Sequence, residues 1–158
     1  MTVVERDTRT PARQWVLLAA AAAVVFGLDL VTKVLVRSRI GLGDHVGVIP
    51  GIDLTHTTNR GIAFGLFPDR QRIVAVVTAV VLCGVAAALV SAANRSTWSM
   101  IAAGALAGGA VGNLVDRLAR DGVTDFIAIG RWPPFNIADI GIVLGALTLA
   151  LVLGRPRS

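Results

Sequence analysis

WVLLAAAAAVVFGLDLVTKVLV, residues 15–36, is a 22-residue stretch in which only Asp29, Thr32 and Lys33 are polar. At 1.5 Å per residue a helix over it reaches about 33 Å, enough to cross the ~30 Å hydrocarbon core of a bilayer. The polar, mixed-charge residues 1–14 read as a short tail before it. The alternative is a cleaved signal peptide, since arginines precede the run. Against it, VRSRIG (residues 36–41) follows, with no small-x-small cleavage pattern. A second span is expected over Ile73–Ala93, which carries no charge, and a third over Trp98–Leu118. The third has Gly104, Gly108 and Gly112 on one helix face, where small residues let backbones approach closely in lipid. A fourth span is expected over Ile137–Leu153, with Gly141 and Gly145 at the same interval.

The composition agrees with four crossings in a single domain over residues 1–158. Hydrophobic residues make up 54% of the 158, charged residues 16%, and the mean hydropathy is +0.72. Counting the 17 Gly as apolar brings the apolar share to about 65%, against roughly 45–50% for soluble domains. Disorder is excluded on that ground, and the excess argues strongly against a soluble globule. The net charge of +5 comes from scattered residues with no basic run, so nucleic acid is not an expected partner. A lone cysteine, Cys83, excludes an internal disulfide and reads as packing within the second span. His45 and His56 lack metal-ligand spacing, and neither a metal nor an organic cofactor is expected. One Lys against fourteen Arg, with no Tyr, suggests a GC-rich bacterial source.

Four crossings put both long connections, 37–72 and 119–136, on one side of the membrane. In the first, IDLTHTT (residues 52–58) alternates as a strand does, and Asn59-Arg60-Gly61 reads as a turn. In the second, GVTDFIAIG (residues 122–130) looks extended and RWPPFN (residues 131–136) breaks it. The other face receives the tails and the short link Asn94–Thr97. Nearly every unusual polar residue therefore gathers at one face: Asp29, Lys33, Asn59, Arg60, Asn113, Asp116, Arg117, Asp125, Asn136 and Asp139. Counting Lys and Arg does not decide which face is outside, because nine sit in or near the long connections and six on the other side.

Charges within spans mark function or a partnered structural pair by default. Asp29 and Lys33, four apart, share a helix face and either neutralise one another or act directly. Asn113, Asp116 and Arg117 form a polar stripe near the end of the third span, with Arg117 read as holding the connections to the bundle. Asp125 and Asp139 are both expected near the same membrane–water boundary. Two carboxylates together there do not ionise independently, and one is driven to hold a proton beside an ionised partner. Aspartic proteases use that arrangement to activate water without metal or covalent intermediate. Asp139 alternatively caps the fourth span. Gly41-Leu42-Gly43-Asp44 matches the GxGD pattern of intramembrane proteases, but it lies in a connection and is a chance match.

Five motifs resemble those of lipoprotein signal peptidase (signal peptidase II), in that family's order. They are DLVTK (Asp29–Lys33), NRGIAF (Asn59–Phe64), GGAVGNLVDR (Gly108–Arg117), VTDF (Val123–Phe126) and FNIAD (Phe135–Asp139). The resemblance implies four transmembrane helices with a small extracytoplasmic β-sheet cradle, both termini cytoplasmic, in the bacterial inner membrane. It implies that Asp125 and Asp139 are catalytic, and that Asn59, Arg60, Gly61, Asn113, Asp116, Arg117, Asn136, Asp29 and Lys33 bind substrate or support the site. The implied substrate is a prolipoprotein whose cysteine carries a diacylglyceryl group, cleaved on the N-terminal side of that cysteine. Membrane phospholipid surrounds the protein, and the glycine stripes pack one bundle, so a monomer is expected. A rival is a non-catalytic four-span scaffold or transporter subunit.

Overall fold

The computed structural model describes residues 10–60 and 96–154. The expected second span, Gly61, Cys83 and most of NRGIAF lie outside them. Three helices and one sheet make up the described part. Helix α1 covers Thr10–Arg39, longer at both ends than the apolar run. Pro11 falls in its first turn, where a missing N–H is harmless, and Arg37 and Arg39 close its last turn, where cations suit the helix dipole. Helix α2 covers Thr97–Arg120 and helix α3 Ile137–Leu153. Residues 12–39 and 97–120 are each long and apolar enough to cross a membrane, and α3 is a shorter apolar helix.

Helix α2 lies between α1 and α3 and packs closely on both. The glycines make this possible. A Cβ on Gly108 would run into the backbone of Ala22 on α1, and one on Gly145 would sit 2.6 Å from the Ala102 carbonyl on α2. Ser96 caps the start of α2, its hydroxyl accepting from the Ser99 N–H at 3.1 Å. Asp121, left-handed at φ 55°, ends it and turns the chain at once into a strand.

The sheet has the order β1 (His45–Ile49), β2 (Ile52–Asn59), β3 (Val123–Ile129), all antiparallel. β2 and β3 match the expected extended segments closely. β1 was not expected, and it is exposed along its whole length. Pro50-Gly51 joins β1 to β2, with Gly51 at φ +83°, a value that suits glycine at the second turn position. β3 runs beside the ends of α1 and α2, and Val123 to Phe126 are buried on both faces. After β3 the chain folds back: Phe135 exchanges backbone hydrogen bonds with Ile127 at 2.8 and 3.0 Å. That return delivers Asn136 and the start of α3 to the side of β3.

Candidate active site

Asp125 projects from β3 toward the face shared with β2. It pairs across from Thr57, and Asn59 pairs with Val123, so these four alternate residues lie on one side of the sheet. Asn59 Nδ2 donates to Asp125 Oδ2 at 3.0 Å, and Thr57 Oγ1 donates to the Asp125 carbonyl at 3.1 Å. Asn136 Nδ2 donates to Asp125 Oδ1 at 2.6 Å.

Asn136 also governs Asp139. Its side-chain oxygen accepts the Asp139 N–H at 2.9 Å, and its own N–H donates to Asp139 Oδ2 at 3.2 Å, a reciprocal cap on α3. Asn113 Nδ2 donates to Asp139 Oδ1 at 2.8 Å. The two aspartates are therefore joined through one residue, Asn136, buried between them. Asp139 does cap the helix, as the simpler reading had it, while facing Asp125 as well.

Beneath them lies a buried ion cluster. Lys33 Nζ is 2.7 Å from Asp29 Oδ2 and 3.4 Å from Asp116 Oδ2, and it donates to Asn113 Oδ1 at 3.0 Å. Lys33 and Asp29 are each only 1% exposed, so each charge requires the other. The remaining Asp29 oxygen accepts the Ala138 N–H at 2.9 Å, next to Asp139. Asp116 accepts from Arg37 Nη1 at 3.2 Å and from the Thr124 N–H at 3.0 Å, next to Asp125. Arg37 Nη1 also donates to Thr124 Oγ1 at 3.0 Å. Both carboxylates thus have a neighbouring backbone group tied to the same cluster.

Burial disfavours the charged form of Asp125 most, and the Asp139 carboxylate adds to it. The amides of Asn59 and Asn136 and the more distant Lys33 oppose this, and the balance pushes Asp125 up to about 7. Arg117 Nη1 donates to the Asn113 carbonyl at 3.4 Å, one turn back along α2.

Of the residues singled out in the sequence, Asp125, Asp139, Asn59, Asn113 and Asn136 form one hydrogen-bonded group. Asp29, Lys33 and Asp116 form its base. Asp116 ties α2 to β3 through the Thr124 N–H, and Arg117 Nη1 reaches the Asn113 carbonyl at 3.4 Å. Arg60 is exposed just past β2. Arg37 and Thr124 were missed. Arg37 continues the Asp29, Lys33 spacing by another four residues, a signal that would have found it. Thr124 carries no such mark.

The family model for signal peptidase (SPase) II matches residues 21–154. A lipoprotein signal peptidase of Pelotomaculum thermopropionicum is 39% identical over 132 residues, covering 83% of this chain and 87% of that protein. One of Solibacter usitatus is 37% identical over 146 residues, covering 86% and 89%. A bacterial membrane enzyme solved by the in meso method at 2.3 Å superposes with a TM-score of 0.81 at 28% identity, over 86% of each chain. A glycine-lined helix packing, a cradle of three strands and two aspartates joined through a buried asparagine accompany that match, and the chain belongs to the signal peptidase II family of peptidases.

Proposed function

We propose that this protein is a membrane aspartic endopeptidase that removes the signal peptide from diacylglyceryl-modified prolipoproteins, with Asp125 and Asp139 as the catalytic pair. The observation that carries the reading is Asn136, which donates to Asp125 at 2.6 Å and caps Asp139 through its side chain and its backbone N–H. Two carboxylates so joined hold one proton between them. The ionised one takes a proton from water as the hydroxide joins the carbonyl carbon. The protonated one gives its proton to the amine nitrogen as the C–N bond breaks, so the pair ends with the proton count it began with.

In this reading the chain crosses the membrane four times, both termini are cytoplasmic, and the sheet lies at the outer face. The scissile bond then sits near the bilayer surface while the acyl chains of the substrate stay in lipid. Asn59, Asn113 and Arg117 line the pair and Asp29, Lys33 and Asp116 brace it, while Arg60 follows β2 and Gly61 lies outside the described residues. Membership in a peptidase family favours this over a non-catalytic scaffold.

The test is a size-shift assay with purified protein and a diacylglyceryl-modified prolipoprotein, with the unlipidated precursor as control. Only the lipidated precursor should be cleaved. Asp125→Asn and Asp139→Asn should each abolish cleavage in folded protein, and substantial activity in either refutes the dyad.

A further inference from the structure

Asn113 links the buried ion cluster to Asp139, and its neighbours leave its amide one orientation. Lys33 Nζ, which offers donors only, lies 3.0 Å from Asn113 Oδ1, and Asn136 Nδ2 donates to the same oxygen at 3.2 Å. Turned over, the amide would set its N–H groups against both donors and its oxygen against Asp139 Oδ1, now 2.8 Å from Nδ2. Asn136 cannot turn over to accommodate it, because its own oxygen accepts the Asp139 N–H.

We propose that Lys33 is a positioning residue for the aspartate pair: by holding the Asn113 amide oxygen it aims the amide N–H at Asp139, making Asp139 the ionised base and Asp125 the protonated acid. The proposal rests on reading Asp125 and Asp139 as the catalytic pair. Two further features point the same way. Asp139 lies in the first turn of α3, where the helix dipole favours negative charge. It is half-buried, whereas Asp125 is fully buried.

Among the described residues, the charged groups gathered about the pair are Asp29, Lys33 and Arg37 from α1 and Asp116 and Arg117 from α2, while β2 contributes the neutral Asn59. The direct field of Lys33 on Asp125 is the weakest of the influences acting there. Its contact with Asp139 runs through the Asn113 amide, which accepts from Lys33 at 3.0 Å and donates to Asp139 at 2.8 Å.

The experiment is the pH dependence of kcat/KM for cleavage of a diacylglyceryl-modified prolipoprotein by the full-length, bilayer-embedded protein. An acidic limb reports the base and an alkaline limb the acid. Lys33→Gln removes the cation from the Asn113 oxygen and leaves the neutral, longer Asn136 donor to hold it; it should move the acidic limb up by about one pH unit, the size of one charge-assisted hydrogen bond, and leave the alkaline limb in place. Lys33→Arg, again donors only, should keep the acidic limb near its original position. Asn113→Ala leaves Lys33 paired with Asp29 and Asp116, so the ion cluster survives, and it should move the acidic limb as Lys33→Gln does. It decides the matter if Lys33→Gln does not fold. A uniform loss of rate with both limbs unmoved in Asn113→Ala overturns the proposal and leaves Lys33 a brace. Movement of the alkaline limb alone overturns the assignment of acid and base. Activity in Asp125→Asn or Asp139→Asn is a separate failure, that of the pair itself, and the proposal falls with it.

Discussion

Asp125 has given up water for two side-chain amide donors, and they do not offset the loss of solvation beside a second carboxylate. In the unfolded chain it titrates near 3.8, in the folded protein at about 7. Between those values the folded state binds the extra proton, so stability is fully present below about pH 4 and falls as pH rises toward 7. Asp125→Asn removes this titration. Thermal or denaturant unfolding should show the variant gaining on the unsubstituted protein from pH 4 to 8, by roughly 2–4 kcal/mol for a shift of this size. A difference that does not change with pH contradicts the burial argument. Asn136→Ala removes a helix cap and a donor to Asp125. It should cost about 1–2 kcal/mol of stability and lower cleavage on the order of 100-fold. Full activity in that variant would show that the bridge between the aspartates is dispensable.

Helix packing depends on side chains that are absent. Gly108 lies against the Ala22 backbone, and Gly112 leaves the space that Asp29 occupies, since a Cβ there would stand 2.7 Å from Asp29 Oδ2. At Gly27, in contrast, an added Cβ would meet nothing within 4 Å among the described residues. Gly108→Ala should therefore push α1 and α2 apart and cost about 1–3 kcal/mol, while Gly27→Ala should be neutral or slightly stabilising. Comparing the two melting temperatures in one detergent checks this, and equal effects would mean the close approach does not matter. The glycine spacing was plain in the sequence because four-residue intervals select one helix face. β2 was plain from its alternation. β1 was not, because HVGVI is exposed throughout and has no buried face to print a period on the sequence. Pro50-Gly51 between two Val/Ile-bearing runs was the signal available.

Taken whole, the described molecule is inverted relative to a soluble protein. Val24, Leu28, Val31 and Leu35 on α1 are exposed, while Asp29, Lys33, Asp116 and Asp125 are buried. That distribution suits a lipid surround, with the charges confined to the interior at one end of the bundle. The ion cluster joins α1, α2, β3 and α3 through Asp29, Lys33, Asp116 and Arg37. Lys33→Met strands two buried carboxylates and should cost about 3–5 kcal/mol. Adding Asp29→Asn should recover part of it, so the double variant loses less than the sum by about 1–3 kcal/mol. Strict additivity in unfolding measurements would mean that the pair is not coupled.

Apolar runs, glycine intervals and the ten gathered polar residues are properties of residue order, legible along the chain before any fold is known. They located the three described helices and two of the strands, and they marked Asp125 and Asp139 for one boundary, because span length depends only on hydropathy and rise per residue. Which side-chain atom meets which is a property of the folded molecule. The fold-back at Phe135 sets Asn136 between the aspartates, and Lys33 meets an amide 80 residues away. Hydrogen-bond direction depends on atoms within about 3 Å of one another, a distance that separation along a chain does not encode.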